Sequence, residues 1–332
     1  MVILTNAKGN EIRPLKFNKI DIDLNGDKTF EMTIPLSDYT PDLIYGNMIF
    51  IPGSEYGGII GKRTTNTAEM TAIIEGFTWR NILEKKIIVP PSGQAYRVVS
   101  GELNSILANL IEEAGLSPLF SVSTESTGVS VNSYQFDRYT TLLAGIVKML
   151  KSVNYRIQIK FVQRERGLPG YVGLEAVPIV DYSQTIELSQ DNQVNFTFTE
   201  TKNGINHLIC LGKGEETDRT VIDLYVQQDG SIGTTPYYTG LNERAETYDF
   251  SNAEDAELQD QGIEKLQELM NSQSLSMNVE TINIDVDIGD IIGGRDYVTG
   301  MVMAKPVENK IYTEENGEIS KDYTLEGDDG GE

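Results

Sequence analysis

The chain contains one histidine, His207, and one cysteine, Cys210, the side chains best suited to acid–base or nucleophilic chemistry. Both fall in a segment whose alternating apolar residues predict a β-strand, and residues three apart on a strand point to opposite faces. We therefore expect a structural histidine and a buried cysteine rather than a catalytic pair. This composition also excludes an intrachain disulfide, HExxH chemistry and a structural zinc site of four cysteines or of two cysteines and two histidines.

The segment from Asp21 to Gly26 reproduces the first half of a calcium-binding EF-hand loop, with oxygen-bearing side chains at Asp21, Asp23 and Asn25. Such a loop requires a bidentate glutamate at its twelfth position, where this chain has Met32. Alternating apolar residues on both sides of Asn25-Gly26 instead favour a β-hairpin. We predict a hairpin here and no calcium site.

Three further aspartates, Asp285, Asp287 and Asp290, are spaced closely enough to suggest a metal site. The first two alternate with aliphatic residues, which is typical of the solvent-facing side of a strand, so we predict no metal there. A carboxylate pair of the glycosidase type stays open, because the 50 acidic residues offer many pairs and their spacing singles out none. None of these patterns predicts a cofactor.

The glycine-rich segment 57–64 has a superficial similarity to a phosphate-binding P-loop. A P-loop would require a glycine at Tyr56 and a serine or threonine directly after Lys62, where Arg63 stands. No helix is predicted after the segment, so it lacks the helix N-terminus that binds phosphate. We interpret the segment as part of a β-strand.

The composition limits the classes of partner. The chain has 332 residues, enough for two or three domains, and its 27 basic against 50 acidic residues give a net charge of −23. Such a charge argues against DNA binding and against attraction to anionic lipid. The sequence shows neither a signal peptide nor an apolar stretch of about 18 residues, so we expect a soluble protein made in the cytoplasm without a membrane anchor.

The hydrophobic pattern predicts a mixed, β-rich α+β protein with two small β-barrel-like domains and an α/β insert between them. A helix is expected between strands of the second block, and Ser251 and Glu254 form a capping box at its start. The acidic, glycine-rich C-terminal end is expected to be disordered. The predicted boundaries are a first β-barrel domain at 1–92, the α/β insert at 93–180, the second β-barrel block at 181–325 with its helix at 252–271, and the acidic tail at 326–332.

Within the insert, apolar residues from Leu103 to Ala114 follow the i, i+3, i+4, i+7 spacing of an amphipathic helix. Ser100 is the predicted N-terminal cap of this helix, and Gly115 is predicted to end it. A second helix is predicted over 141–152, followed by a strand from Tyr155 to Phe161. These elements together indicate a compact α/β unit.

A basic cluster surrounds the only tryptophan of this acidic chain, with Arg80, Lys85 and Lys86 following Trp79. One interpretation is a turn and short helix that close the first barrel, with Trp79 as an anchor in the core. The other is that the basic residues pair with acidic residues of a neighbouring subunit. We take Trp79, Arg80, Lys85 and Lys86 as candidate subunit contacts.

Three segments occur in a characteristic order: Phe77–Pro90, a turn of the form GxGxxxDR at Gly212–Arg219, and a DxGD motif at Asp287–Asp290. With the β-rich block before the insert and the capped helix after the turn, this order resembles the tail-hub proteins of long-tailed bacteriophages. The resemblance covers nearly the whole chain. The same hub module is found in contractile-tail baseplates, in heads of type VI secretion spikes and in tail-associated lysins.

The resemblance implies a non-enzymatic structural protein at the tip of a virion tail. It implies a homotrimeric ring, with two similar barrels per chain, that adapts the hexameric tail tube to a spike or fibre. The implied neighbours are a tail-tube or distal tail protein, a tape-measure protein and other baseplate proteins, and DNA passes the lumen without specific binding. An acid-rich channel wall would repel phosphate groups, and the scarce cations Arg80, Lys85 and Lys86 would then lie nearer the subunit contacts.

An alternative hypothesis is a peptidoglycan-degrading tail-associated lysin that uses a carboxylate-based hydrolase or peptidase mechanism. The sequence shows no additional lytic or spike domain after Leu325, so we expect any lytic activity to reside in another protein. Cell-wall clearing by this chain alone would favour the lysin, whereas a trimeric native mass would favour the hub.

Overall fold

The computed structural model describes residues 1–165, 167–183, 187–188, 195–251, 253, 255–279, 286–295, 300 and 302–326. Within these residues the chain is a β-rich α+β protein built from several mainly antiparallel sheets, which confirms the predicted fold class in its general form. The described strands form open sheets, and no closed barrel is found among them.

The first block is an antiparallel sheet of seven strands followed by a short helix. In strands β4 and β7 buried and more exposed residues alternate, because one face of the sheet packs on the core. The elements are β1 (Ile3–Thr5), β2 (Glu11–Pro14), β3 (Lys19–Asp23), β4 (Thr29–Pro35), β5 (Met48–Phe50), β6 (Gly57–Asn66), β7 (Thr71–Thr78) and α1 (Trp79–Glu84).

Strands β3 and β4 form the predicted hairpin, in which Ile20 lies opposite Met32 and Ile22 opposite Phe30. The turn is longer than two residues. The Asp23 carboxylate accepts hydrogen bonds from the backbone nitrogens of Gly26, at 2.7 Å, and Asp27, at 3.1 Å. Asp23 therefore holds the turn through its side chain, as short polar side chains commonly do.

The next block contains two helices packed on a small mixed sheet. Helix α3 begins after Thr141, whose hydroxyl accepts a hydrogen bond from the Ala144 backbone nitrogen at 3.2 Å. The elements are β8 (Val98–Glu102), α2 (Leu103–Glu113), β9 (Phe120–Val122), β10 (Ser130–Gln135), α3 (Leu142–Lys151), β11 (Tyr155–Val162) and β12 (Tyr171–Pro178).

The N-terminal cap of helix α2 is Glu102, not the predicted Ser100. One carboxylate oxygen of Glu102 accepts from the Ser105 backbone nitrogen at 2.9 Å, and the other accepts from the Thr127 backbone nitrogen at 2.8 Å. Glu102 thus ties the helix start to a loop 25 residues away. Gly115 follows the helix with a φ of +70°, a left-handed conformation that glycine adopts at little cost.

The remaining elements run from residue 187 to residue 325. The predicted helix 252–271 is observed at 255–269, and Asn252 and Glu254 of the predicted capping-box segment lie outside the described residues. The elements are β13 (Glu187–Leu188), β14 (Asn195–Thr201), β15 (His207–Leu211), β16 (Val221–Val226), β17 (Ile232–Gly233), β18 (Ala245–Asp249), α4 (Asp255–Leu269), β19 (Ser272–Val279), β20 (Ile291–Arg295), β21 (Val302–Glu315) and β22 (Glu318–Leu325).

The chain divides into two compact units, the first comprising residues 1–197 and 276–326, and the second including residues 198–275. In the first unit, strand β21 pairs with β3, so that Ile311 lies opposite Asp23 and Glu315 opposite Lys19. The C-terminal strands therefore extend the N-terminal sheet. This division differs from the predicted one, which placed all of 181–325 in a separate barrel, because an alternating pattern identifies a strand but not its partner.

The first unit has two hydrophobic clusters. One lies on the large sheet and includes Ile20, Phe30 and Ile74. The other joins the helices of the predicted insert to the first block, and Phe161 stacks on Phe50 with ring centroids 4.2 Å apart. The segment 93–180 thus shares a core with the first block.

The second unit is a four-stranded sheet in the order β17–β16–β15–β18, with helix α4 packed on it. Its core combines Leu208 and Cys210 from the sheet with Leu258 and Leu266 from the helix. Gly262 permits this close packing, since a Cβ atom there would lie 2.5 Å from the Cys210 sulfur.

Candidate functional site

Two of the four candidate contact residues belong to the core of the first unit. Trp79 and Arg80 begin helix α1, and both side chains are fully buried. The Arg80 guanidinium donates to both carboxylate oxygens of Glu55, at 2.5 and 3.1 Å. The chain itself thus encloses Trp79 and Arg80, which corrects the prediction that they are available to a neighbouring subunit.

Lys85 and Lys86 lie at the surface, at the start of an extended segment that runs antiparallel to residues 139–142. The Ile88 nitrogen donates to the Thr140 oxygen at 2.9 Å, and the Leu142 nitrogen donates to the Lys86 oxygen at 2.7 Å. The same register aligns Val89 with Tyr139.

Exposed apolar side chains adjoin the two lysines. Ile87, Val89 and Tyr139 are each about half exposed or more, and the Arg138 guanidinium lies 5.2 Å from the Tyr139 ring centroid. Neither lysine has an ion-pair partner among the described residues, although acidic residues outnumber basic ones nearly two to one. We call the surface formed by Lys85, Lys86, Ile87, Val89, Arg138 and Tyr139 the basic apolar patch.

The DxGD motif forms a clamp around Arg156 of strand β11. Arg156 donates from Nε to Asp290 at 2.7 Å and from Nη2 to Asp287 at 3.1 Å. Asp290 is buried and also accepts from the Val180 backbone nitrogen at 2.9 Å. Gly289 has a φ of +97° and lies directly against the Arg156 side chain, so a larger residue would be strained there.

A second buried cation adjoins this clamp. Lys310 of strand β21 donates from Nζ to the Val286 carbonyl at 2.8 Å and lies 3.8 Å from Asp287. Its ammonium group also faces the rings of Tyr56 and Tyr323, with centroids at 5.4 and 5.8 Å. These distances are within the range of cation–π interactions.

The sequence prediction for this region was incomplete. Asp287 was expected on the solvent-facing side of a strand, but it lies in a turn and pairs with Arg156. Asp285 lies outside the described residues. The available signal was the glycine between the two aspartates, because a turn that requires glycine can direct both carboxylates to one cation.

His207 occupies a different arrangement in the second unit. Its Nδ1 lies 2.7 Å from Glu243, its Nε2 lies 2.8 Å from Asp223, and its ring stacks on Tyr225 with centroids 4.2 Å apart. Both contacts are hydrogen bonds only when both ring nitrogens carry hydrogen. The histidine links strand β16 to the loop before β18, which agrees with the predicted structural role.

Cys210 lies on the opposite face of strand β15 and is fully buried against helix α4. Burial raises the pKa of its thiol to about 11, and the nearby Asp223 contributes in the same direction. Such a thiol carries almost no thiolate at neutral pH, so it is a poor nucleophile. The structure thus separates Cys210 from His207, as expected.

The remaining motifs have structural explanations. Residues 57–66 form strand β6, and Gly57 is needed there because a Cβ atom would lie 2.5 Å from the Ile49 carbonyl oxygen. Asp21 accepts a hydrogen bond from the Thr313 hydroxyl at 2.7 Å across the β3–β21 pair. Among the described residues, no group of three or more histidine, cysteine, aspartate or glutamate side chains is placed to hold a metal ion.

Comparison with known proteins finds similarity at the level of fold. The tail protein from Neisseria meningitidis MC58 matches with a TM-score of 0.53 and 15% identity over 98% of this chain and 95% of its own. The 43 kDa tail protein of prophage MuSo2 from Shewanella oneidensis matches with a TM-score of 0.56 and 13% identity over 98% and 97% of the two chains. The similarity to phage tail proteins inferred from the sequence is confirmed for the fold.

No protein-family model matches the sequence, and no curated protein does. In the part of the chain that the structure describes, none of the helices combines the length and apolar character needed to span a bilayer.

Proposed function

We propose that this chain is a non-enzymatic structural protein that forms a homotrimeric hub at the tip of a phage or phage-derived tail. The observation that carries the proposal is the similarity of fold to two tail proteins over 98% of the chain. Because the match spans nearly the full length of each relative, both units have counterparts in those proteins.

The environments of the reactive side chains support a role without catalysis. His207 has both ring nitrogens engaged by carboxylates, and Cys210 is buried with a raised pKa. The buried carboxylate Asp290 is likewise committed to Arg156. These groups stabilise the fold and are not free to act as a base or nucleophile.

In the proposed assembly, each chain supplies two barrel-like β-rich elements, so that three chains match the six-fold symmetry of a tail tube. A closed ring of identical subunits needs two complementary surfaces on each chain. The basic apolar patch is the proposed contact on one side, with Lys85 and Lys86 facing acidic residues of the next subunit. Aromatic residues and arginine, which Tyr139 and Arg138 contribute to this patch, are enriched in protein interfaces.

The proposed neighbours are a tail-tube or distal tail protein and a tape-measure protein on one side, and a spike, fibre or other baseplate protein on the other. DNA would pass through the central channel without specific binding. The net charge of −23 per chain supports this, because an acid-rich channel wall repels phosphate groups.

Native mass measurement tests the proposal directly. The expected result is a species of three times the chain mass, either for the purified chain or once a tail-tube partner is added. A chain that stays monomeric with its tail partners present would contradict the trimer. A solved assembly whose channel is richer in Lys and Arg than in Asp and Glu would contradict the repulsive channel.

The role of the basic apolar patch can be tested on the trimer itself. The double variant Lys85→Glu/Lys86→Glu should weaken the trimer and raise its dissociation constant by roughly tenfold or more. The introduced carboxylates would then face acidic residues of the next subunit and repel them. The matched control Lys8→Glu/Lys16→Glu makes the same charge change at exposed lysines outside the patch. Equal effects of the two variants would show that total charge, not the patch, governs association.

A cell-wall zymogram addresses the lysin hypothesis. The purified chain should leave peptidoglycan intact at concentrations at which a lysozyme control clears it. Clearing that is lost on substitution of one acidic pair would replace the hub proposal with an enzymatic one.

A further inference from the structure

We propose that a loop of the second unit docks on the basic apolar patch of the next chain in the ring. The loop comprises residues 234–243 and connects β17 to β18, the two edge strands of the sheet in this unit. We call it the Leu241 loop after its most exposed residue. The inference rests on the proposed trimer and adds the surface that faces the patch, because a ring of identical chains needs two different, complementary surfaces on each chain.

The Leu241 loop carries apolar side chains in water. Leu241 is fully exposed, more so than any other large apolar side chain in the described part of the chain, and Tyr237 is about half exposed. Tyr237 packs edge-on against Tyr238, with ring centroids 4.9 Å apart. Leu241 gains no free energy of burial within its own chain, so only contact with a partner would supply it.

Buried hydrogen bonds fix the backbone beneath these side chains. The Asn206 side chain is buried, donates to the Asn242 carbonyl oxygen at 2.8 Å and accepts from the Arg244 nitrogen at 2.8 Å. Gln227 ties the other end of the loop by donating to the Thr235 carbonyl oxygen at 2.9 Å. Single exposed apolar residues are common on protein surfaces. A loop held at both ends, however, loses less conformational entropy on docking than a mobile one, which favours a docking element.

Charge and apolar surface together identify the occupant. Asp223 and Glu243 lie on either side of His207 at the base of the Leu241 loop, and both carboxylates are partly exposed. The basic apolar patch has the opposite charge beside its apolar residues, and its two lysines have no ion-pair partner among the described residues. An apolar centre with a polar rim is the usual arrangement of a protein interface. Two loops, or two patches, would instead bring like charges together, so loop against patch is the favoured pairing.

Cross-linking between two single-cysteine variants tests the contact directly. Leu241→Cys is mixed with Val89→Cys, one of them carrying a tag that identifies mixed dimers by mass, and a short bismaleimide is added. The native Cys210 is buried with a raised pKa, so it does not compete. We expect mixed dimers in much higher yield than dimers of either variant alone. The control replaces Val89→Cys by Ile319→Cys, a half-exposed apolar position of the first unit outside the patch.

Two cross-linking results would overturn the proposal. Equal yields with Val89→Cys and Ile319→Cys would show random collision rather than a specific contact. Dimers formed mainly by Leu241→Cys alone would show that two loops meet each other, which is a two-fold contact and not the head-to-tail contact of a ring.

Native mass measurement then separates this contact from the trimer itself. Leu241→Ser should raise the dissociation constant of the trimer by roughly tenfold or more, because each contact loses a buried leucine, whereas Ile319→Ser should leave it unchanged. A trimer equally stable with Leu241→Ser would overturn the loop contact and leave the trimer in place. Specific mixed cross-links in a complex that is not a trimer would support the loop contact and overturn the trimer. A chain that stays monomeric with tail partners present and gives no mixed cross-link would overturn both.

Discussion

Each unit of the molecule holds a positively charged or protonatable side chain between two carboxylates, but the two arrangements differ in burial. In the first unit Arg156 is 10% exposed and its partner Asp290 is 1% exposed. In the second unit His207 is 11% exposed, but Asp223 and Glu243 are 44% and 38% exposed. Similar hydrogen-bond geometry thus occurs in two different dielectric environments.

The difference shows which charged cluster the fold depends on. Breaking a buried pair leaves a charge with neither water nor a partner, which costs far more than the net contribution of the intact pair. Carboxylates near the surface can be hydrated when their partner is removed. We therefore expect the DxGD clamp to make a large contribution to the stability of the first unit. The contacts of His207 should make a smaller contribution, limited to the second unit.

The largest effect is expected for Asp290→Ala. The substitution leaves the Arg156 guanidinium with Asp287 as its only carboxylate partner and removes the acceptor of the Val180 nitrogen. We expect the first unit to lose about 3–5 kcal/mol of its free energy of unfolding. Urea denaturation followed by Trp79 fluorescence measures the loss.

Asp290→Asn is the matched control, because it keeps the shape of the side chain and one carbonyl oxygen. It should cost less than Asp290→Ala, since the Val180 nitrogen keeps an acceptor. A loss below about 1 kcal/mol for Asp290→Ala would show that the buried clamp behaves like a surface pair, and the comparison would fail.

A smaller effect is expected for His207→Ala in the second unit. The substitution removes the polar contacts of the imidazole with both carboxylates and its stacking on Tyr225, but it leaves Asp223 and Glu243 accessible to water. We expect a loss of about 1–2 kcal/mol, confined to residues 198–275, and unchanged assembly. Hydrogen exchange resolved by segment measures it.

Two results would contradict this prediction. Loss of assembly in a folded His207→Ala protein would show a functional role for the imidazole. Equal loss of protection in both units would show that the histidine acts on the whole chain, not on the second unit alone.

Local patterns predicted the elements of this protein well. The hairpin of β3 and β4, helices α2 and α3 and strand β11 all follow from residue periodicity, because each pattern is set by neighbours in the sequence. The pairing of β21 with β3 joins residues nearly 300 positions apart, as between Thr313 and Asp21. No local pattern specifies that partner, so the C-terminal strands were assigned to the wrong sheet.

The candidate site was harder to predict for the same reason. Arg156 alternates with the apolar residues of its strand, which is typical of a solvent-facing position, and only the distant DxGD turn buries it. Glu102 was missed as a cap because serine and threonine are preferred at that position. Lys85 lies at the surface, and its predicted role as a subunit contact stays a prediction, whereas Arg80 is buried against Glu55 from a preceding loop.

Glu102 extends the comparison to a carboxylate held by neutral donors. Burial raises the pKa of Glu102, but hydrogen bonds from Thr127 and Ser105 outweigh it and lower the pKa to about 2. A lowered folded-state pKa means that the stabilisation is present above the unfolded-state value, near 4.5, and is lost as the pH falls toward 2. Glu102→Gln should therefore cost about 1 kcal/mol at pH 7 and progressively less in acid.

Urea denaturation of Glu102→Gln and the unsubstituted chain at pH 7 and pH 3 measures this difference. The free-energy gap between the two proteins should narrow at the lower pH. A gap that stays constant would show that the hydrogen-bond shape, not the charge, is what the cap requires.

The smallest effect is expected where both partners are exposed. Lys148 lies 2.6 Å from Asp137, and the two side chains are 67% and 63% exposed. Water hydrates either charge when its partner is removed, and holding two mobile side chains together costs conformational entropy. A double-mutant cycle with Asp137→Asn and Lys148→Met should therefore give a coupling energy of roughly 0.2–0.5 kcal/mol that falls further in 0.5 M salt.

The distance between these charges is as short as in the Arg156 clamp, so the cycle separates distance from burial. A coupling energy as large as the loss in Asp290→Ala would mean that distance alone sets the strength of these pairs, and the contrast between the two units would then need another cause.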